Sequence, residues 1–326
     1  MPSGTRNEEG MGAARASHPR FRREGDVPKV ELTDDDVAII RAIYRHRFVR
    51  AADLYRLFQG RSADRLSRRL TLLYRAGYLD RPIAQIDRYH QGGSQSLVYG
   101  LDSAGARYLK EAHGTPIGAT DWRSRNRSYN RENLDHTLAV SRFMIDLEIL
   151  CRERSGFSLI PFEEILERAP EKTRRSPMPG RWPVNIRYGG ARGTVYLAPD
   201  AIFGLRQRGT DGKSKVAYFF LEMDRGTMTI VPSERVRESD AFLHRSSILR
   251  KFVAYAESWR QGLHETHLNI RTPRMWTVTS STGRARAIRR AASEEQSWHS
   301  LGIFLVMAQG ECADCIFPFL QQYGVH

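Results

Sequence analysis

Three carboxylates stand near the ends of two predicted strands, where their spacing suits metal-dependent chemistry. Asp200 follows Pro199 in the first strand, and Glu222 and Asp224 lie at the end of the second. Because side chains alternate along a strand, Glu222 and Asp224 share one face, and hairpin pairing brings Asp200 beside them. Oxygen ligands suit Mg²⁺ or Mn²⁺, and such an ion activates water and neutralises charge on a phosphodiester. The pattern predicts a metal site at Asp200 and Glu222.

Nearby basic residues bear on this hypothesis in two ways. Lys251 lies on the following predicted helix and can approach the carboxylates, and His136 lies near the start of a helix expected to cover the sheet. Acids at strand ends are also often solvated or paired with arginine, and Arg225 and Arg235 are close in sequence. The alternatives are a catalytic group of the three carboxylates with Lys251, and ordinary ion pairs.

A second set of candidate residues lies on a predicted helix over Ser62–Ala76. At about 100° per residue, its leucines cluster on one side and its arginines on roughly the opposite side. The leucines are Leu66, Leu70 and Leu73, and the arginines are Arg61, Arg65, Arg68 and Arg69. Such a helix docks on its own domain through the leucines and presents cations to a DNA groove.

The order of elements around this helix predicts a winged helix-turn-helix. Helices are predicted after Thr33, over Arg50–Phe58 and over Ser62–Ala76, followed by a hairpin and a short helix from Asp102 to about Ala112. The hairpin loop is polar and rich in glycine, as in a wing that lies along a DNA backbone, and its Arg88 is the predicted phosphate contact. A winged helix that binds another protein, with a solvated charged face, stays open as the alternative.

Composition supports a polyanionic partner. The 326 residues include 51 Lys and Arg against 37 Asp and Glu, which gives a net charge of +14, and only six of the cations are lysine. Arginine grips phosphate or a guanine edge with two parallel hydrogen bonds, although GC-rich codon usage gives the same bias. No stretch reaches the roughly 18 apolar residues of a membrane span. The start lacks the apolar segment of a secretory signal, so we expect a cytoplasmic protein.

The rest of the chain is expected to form one α/β domain, which makes the whole protein α+β. The predicted elements are helix Leu134–Cys151, strand Phe157–Phe162, loop Ala169–Gly190, strands Thr194–Leu205 and Val216–Met223, helix Asp240–Arg260, strand Arg274–Thr279, helix Gly283–Glu295 and strand Ile303–Met307. Their core order is αβββαβ. The expected boundaries are a disordered basic arm over 1–29, the winged helix over 30–113, a linker over 114–130 and this domain over 131–326.

Several segments resemble the replication-relaxation family of plasmid and mobile-element proteins. The resemblance lies in Leu197–Ala201, in Phe219–Thr227 with its unusual Glu-Met-Asp-Arg-Gly-Thr run, in Lys251 with Tyr255, and in Asp135-His136. It covers about residues 32–280. It implies a role in plasmid replication, DNA relaxation or mobilisation, without a defined catalytic mechanism.

The second domain also resembles the PD-(D/E)XK, or restriction-endonuclease-like, nuclease fold. Asp200 and Glu222 match that fold's metal-binding acids, but Asp224 stands where its lysine belongs, and Lys251 is a candidate migrated substitute. The first hypothesis is therefore a non-enzymatic protein that binds duplex DNA, and the second is a Mg²⁺-dependent endonuclease. The third is an adaptor that docks a relaxase or replication initiator. A homodimer stays open, and zinc at Cys312 and Cys315 is disfavoured because a structural site needs four ligands.

Overall fold

The computed structural model describes residues 20–23, 25–86, 95–115, 117, 121–209, 212–294 and 302–311. The amino-terminal part contains α1 (Asp34–His46), β1 (Phe48–Arg50), α2 (Ala51–Leu57), α3 (Ala63–Arg75), β2 (Leu79–Asp80), β3 (Val98–Leu101), α4 (Ser103–His113) and α5 (Trp122–Arg127). The three strands form an antiparallel sheet in the order β1-β3-β2.

Local sequence explains where the first helices begin. Thr33 caps α1 in a capping box with Asp36, so that two otherwise unpaired backbone N–H groups are satisfied. Ser62 caps α3 and accepts a hydrogen bond from the backbone of Arg65. Leu66, Leu70 and Leu73 are buried against α1 and α2, as the leucine spacing predicts.

The second half of the predicted linker over 114–130 contains a helix, α5. Trp122 and Asn126 are buried, and the Asn126 side-chain amide donates to Asp80 Oδ2 and to the Leu101 carbonyl, each at 2.9 Å. These contacts fasten α5 to the sheet. Six residues with a single aromatic side chain give little periodicity, which is why the sequence did not reveal the helix.

Part of the predicted disordered arm is also ordered. Arg23 donates to the Tyr74 and Leu79 carbonyls, each at 2.6 Å, and forms an ion pair with the buried Asp102 at 2.5 Å. Its guanidinium lies 4.7 Å from the centre of the Tyr74 ring. The arm up to residue 19 lies outside the described residues.

The carboxy-terminal part is built on a five-stranded sheet. Its elements are α6 (Arg131–Glu153), β4 (Phe157–Ile160), α7 (Phe162–Glu167), α8 (Glu171–Arg174), β5 (Trp182–Tyr188), β6 (Ala191–Leu197), β7 (Ala201–Arg208), β8 (Ser214–Asp224), α9 (Glu234–Arg237), α10 (Ala241–His244), α11 (Ile248–Arg260), α12 (Leu263–Leu268), β9 (Pro273–Thr279), α13 (Thr282–Glu294) and β10 (Phe304–Ala308). The strand order is β10-β9-β8-β7-β4, with β8, β9 and β10 mutually parallel.

The sheet is covered on both faces, and β8 shows how. Its odd-numbered residues, such as Phe219, pack in one cluster with Phe143 of α6. Its Phe220 packs in another cluster with Phe252 and Tyr255 of α11. A strand buried on both faces is continuously apolar. The two carboxylates at the end of β8 therefore interrupt a buried environment and need specific partners.

Three sequence predictions in this region are corrected. The predicted loop over 169–190 contains α8 and β5, the strand Thr194–Leu205 is two strands, and the helix Asp240–Arg260 is broken before Ser247, which caps α11. In β5, Trp182, Val184 and Ile186 are buried and alternate with exposed residues, so the region is a hairpin with β6. The prolines and arginines of this segment hid the alternation of apolar and polar residues that indicates a strand.

Candidate functional site

Asp200 lies between β6 and β7, directly beside the carboxyl end of β8. Its backbone N–H donates to the Leu221 carbonyl at 2.9 Å, and the next residue, Ala201, pairs with Leu221 in the sheet. One carboxylate oxygen, Oδ1, lies 2.9 Å from His136 Nε2 of α6, and the other accepts from the Met223 backbone N–H at 2.7 Å. Asp200 is thus held between the first helix and the central strand of the domain.

Glu222 is held from the opposite side by α11. The Tyr255 hydroxyl donates to Glu222 Oε1 at 2.6 Å, and Lys251 Nζ forms an ion pair with Oε2. Lys251 and Tyr255 are four residues apart and therefore lie on one face of the helix. We call Asp200, His136, Glu222, Lys251 and Tyr255 together the carboxylate site.

Charges within the carboxylate site shift its pKa values in different directions. The hydrogen bond with Asp200 raises the pKa of His136 above its ordinary value. Burial tends to raise the pKa of Asp200, but His136 and the Lys251 charge outweigh it and leave that pKa lowered. Burial raises the pKa of Glu222 against the opposing charge of Lys251. The site therefore favours an ionised Asp200 beside a histidine that readily takes up a proton.

Asp224 does not join this site, although it lies on the same strand. Its Oδ2 accepts from Thr279 Oγ1 at 2.7 Å and from Arg284 Nε at 2.5 Å, and its Oδ1 accepts from Arg284 Nη2 at 3.0 Å. The parallel register places Thr279 of β9 opposite Asp224. Asp224 therefore connects β8 to β9 and α13.

The carboxylate oxygens that were predicted to hold a metal already have partners. His136 and a backbone N–H engage Asp200, and Tyr255 and Lys251 engage Glu222. Among the described residues, no group of three or more His, Cys, Asp and Glu side chains is arranged to hold a metal ion.

The four arginines of the α3 region differ in how they are engaged. Arg61 pairs with Asp35 at 2.7 Å, and Arg69 pairs with the fully buried Asp36, to which its Nε donates at 2.8 Å. Arg65 and Arg68 are exposed on the outer side of the helix and form no ion pair with a described residue. Arg88, Cys312 and Cys315 lie outside the described residues.

A cleft of about 870 Å³ runs from the end of α1 and from α5 to α7, α8 and Asp200. Its lining includes Arg47, Trp122 and Arg125 on one side and the His136–Asp200 pair at its end. The sequence does not mark these residues as a group, because they come from separate segments with no common pattern.

Comparison with family models matches residues 40–273 to the replication-relaxation model. The match spans most of the chain and includes the carboxylate site, α3 and the cleft. The chain belongs to the replication-relaxation family, and membership indicates a role in the replication or relaxation of mobile elements. Comparisons with curated proteins and with solved structures gave no significant match. Within the described residues, no helix is long and apolar enough to cross a membrane.

Proposed function

We propose that the protein binds duplex DNA of a plasmid or other mobile element through a winged helix formed by α1–α3 and the β1-β3-β2 sheet. The order helix, strand, helix, helix and two further strands is that of a winged helix-turn-helix, in which the last of the three helices enters the major groove. Here that helix is α3.

The exposed pair Arg65 and Arg68 is the main support for this proposal. The leucine side of α3 is buried in the amino-terminal core, so the orientation of the helix is fixed and its opposite side faces outward. Arg68 Nε donates to the Asp64 carbonyl at 3.3 Å, which leaves its terminal nitrogens for another partner. Arg69 is engaged by Asp36 and serves the fold in this structure. The net charge of +14 favours a polyanion over a neutral partner.

Replacing both exposed arginines tests the proposal. The variant Arg65→Ala/Arg68→Ala is expected to bind duplex DNA at least about tenfold more weakly than wild type. Each lost phosphate contact lowers the slope of log affinity against log salt concentration by about 0.9, so the slope falls by about 2. Fluorescence anisotropy with a labelled duplex, at several salt concentrations, measures both quantities.

A matched control separates a specific surface from net charge. Arg187 and Arg192 face each other across β5 and β6 and are exposed, and Arg187→Ala/Arg192→Ala removes the same charge. This control should keep nearly wild-type affinity. Equal losses in the two variants, or none in either, would remove α3 as the DNA-binding element and favour the protein-docking alternative.

A second candidate function, a Mg²⁺-dependent nuclease, is supported by the position of Lys251. The core order α6-β4-β7-β8-α11-β9 corresponds to αβββαβ, and Lys251 lies against Glu222, where a nuclease of the PD-(D/E)XK kind needs a cation. Asp200 and Glu222 would hold the metal, which would supply a Lewis acid for the phosphodiester. Lys251 would then hold a proton near the attacked phosphate.

Nicking of supercoiled plasmid in Mg²⁺ or Mn²⁺ distinguishes the two functions. If the protein is a nuclease, wild type nicks the plasmid and Asp200→Asn reduces nicking to background. Asp146 of α6, whose carboxylate pairs with Arg56 at 2.6 Å, provides the control. The Asp146→Asn protein should nick the plasmid as wild type does. The absence of metal-dependent nicking by wild type, or equal nicking by all three proteins, would contradict the nuclease hypothesis and leave DNA binding as the activity.

A further inference from the structure

The cleft beside the carboxylate site has a feature that duplex binding by α3 does not use. Trp122 has two guanidinium groups against its ring, with Arg47 Cζ at 4.6 Å and Arg125 Cζ at 4.5 Å from the ring centre. Arg47 also lies 4.6 Å from the centre of Phe48 and 5.2 Å from that of Tyr129. Two like charges are thus held close together on one aromatic platform.

Among the described residues, no carboxylate forms an ion pair with either guanidinium, and the Asp80 charge acts on Arg47 without direct contact. Neither Arg47 nor Arg125 forms an ion pair with a described residue, and the terminal nitrogens of Arg47 are buried without a hydrogen-bond partner there. Burial lowers the pKa of the Arg47 guanidinium, and the charge of Arg125 lowers it further, while Tyr129 and the Asp80 carboxylate oppose these effects without cancelling them. A charge that is only partly compensated in a partly desolvated site is unfavourable. An anion bound in the cleft would offset it.

The rest of the cleft lining adds aromatic surface and a small excess of arginines over carboxylates. Tyr44, Tyr129 and Phe162 are half-buried and line the cleft, so parts of their rings are accessible. Arginines outnumber carboxylates in the lining by four to three. Two of the three acids have basic neighbours, since Glu163 lies 3.7 Å from Arg45 and Asp200 contacts His136.

We infer that this cleft binds an unpaired stretch of DNA, with a phosphate against Arg125 above Trp122 and bases packed on the exposed aromatic rings. Arginines along the backbone combined with aromatic platforms are the means by which proteins hold single strands without reading sequence. A duplex keeps its base faces stacked on one another, so only an unpaired strand offers them to the rings. The volume of about 870 Å³ is within the roughly 300–1,000 Å³ of ligand sites. The choice of DNA over RNA rests on the proposed function.

Two arginines on α5, separated by one residue, provide the decisive comparison. Arg125 lines the cleft, whereas Arg127, also exposed and two residues further along the same helix, does not. With a labelled oligo(dT), Arg125→Ala is expected to weaken binding about tenfold and to lower the salt slope by about 0.7. Arg127→Ala is expected to bind within about twofold of wild type. Thermal unfolding of both variants checks that they are folded.

A second matched pair tests the opposite side of the cleft. Arg174 of α8 lines it, and the neighbouring Arg175 pairs with Glu171 at 2.5 Å and does not. Arg174→Ala should weaken oligo(dT) binding, and Arg175→Ala should not. Equal effects within each pair, or no binding of oligo(dT) by wild type, would overturn the inference.

Parallel measurements with duplex DNA and oligo(rU) separate this inference from the proposed function. Arg125→Ala should leave duplex affinity unchanged, and Arg65→Ala/Arg68→Ala should leave oligo(dT) affinity unchanged. If the oligo(dT) results are as expected but the protein does not bind duplex DNA, the proposed role of α3 is contradicted and that of the cleft is not. Tighter binding of oligo(rU) than of oligo(dT) would overturn the assignment to DNA.

Discussion

Replacing Lys251 by methionine is expected to lower the free energy of unfolding by about 3 kcal/mol, because it leaves the Glu222 carboxylate buried beside Tyr255 alone. The Glu222 side chain is 4% exposed and that of Lys251 is 26% exposed. Water therefore cannot solvate the Glu222 carboxylate well once the Lys251 charge is removed. Lys110→Met, on the exposed side of α4, is the control and should change stability by less than about 0.5 kcal/mol. Urea unfolding at neutral pH measures both variants.

The pH dependence of this loss identifies its cause. Without Lys251, the main charge that opposes the effect of burial on the pKa of Glu222 is gone. A carboxyl with a raised folded-state pKa contributes stability below its unfolded pKa and loses it as the pH rises through the folded value. The deficit of Lys251→Met should therefore shrink in acid.

In the wild type, Lys251 also has a raised pKa, so its contribution has the same sign of pH dependence. The charges of Glu222 and Asp200 raise the pKa of Lys251 against the effect of burial, so its stabilisation is lost only as the pH rises through that raised value. Adding Glu222→Gln to Lys251→Met should recover most of the stability, because Gln keeps an acceptor for Tyr255. A Lys251→Met protein as stable as wild type would mean that Glu222 is neutral in the folded state.

Much of the carboxylate site follows from local sequence. Pro199-Asp200 marks the start of β7, and strand alternation together with antiparallel pairing places Asp200 opposite the end of β8. The spacing of Lys251 and Tyr255 puts both side chains on one helical face. Both placements follow from local geometry, because side chains repeat every two residues along a strand and every 3.6 residues along a helix. Such short-range patterns can be recognised in the sequence alone.

The partner of Asp224 depends on contacts that sequence does not encode locally. Alternation correctly puts Asp224 on the face of Glu222, but its neighbours are Thr279 and Arg284, which lie 55 and 60 residues further along the chain. Only the parallel register of β8 with β9 decides that they meet. The cleft has the same origin, since Arg47, Trp122 and Asp200 come together only after α5 and α6 dock.

Replacing Asp224 by alanine is also expected to destabilise the fold by about 3 kcal/mol. Its side chain is 2% exposed, and it accepts hydrogen bonds from Thr279, from Arg284 and, at 3.2 Å, from the Gly226 backbone. Alanine leaves the buried Thr279 hydroxyl without an acceptor and leaves the Arg284 guanidinium with the Met228 carbonyl in place of a carboxylate. Each buried polar group that loses its partner costs roughly 1–3 kcal/mol, and more where it is charged. Chemical denaturation of Asp224→Ala measures the loss, and Asp135→Ala, which removes the half-buried i,i+4 ion pair with Arg131, is the control.

The same substitution decides between a structural and a catalytic Asp224. Burial opposes but does not prevent a lowered pKa, which the hydrogen bonds from Arg284 and Thr279 produce. A carboxyl with a lowered folded-state pKa contributes stability above its unfolded pKa and loses it as the pH falls through the folded value. The stability difference between wild type and Asp224→Ala should therefore disappear in strong acid. An Asp224→Ala protein with wild-type stability but without metal-dependent nicking would instead make Asp224 a member of a nuclease site.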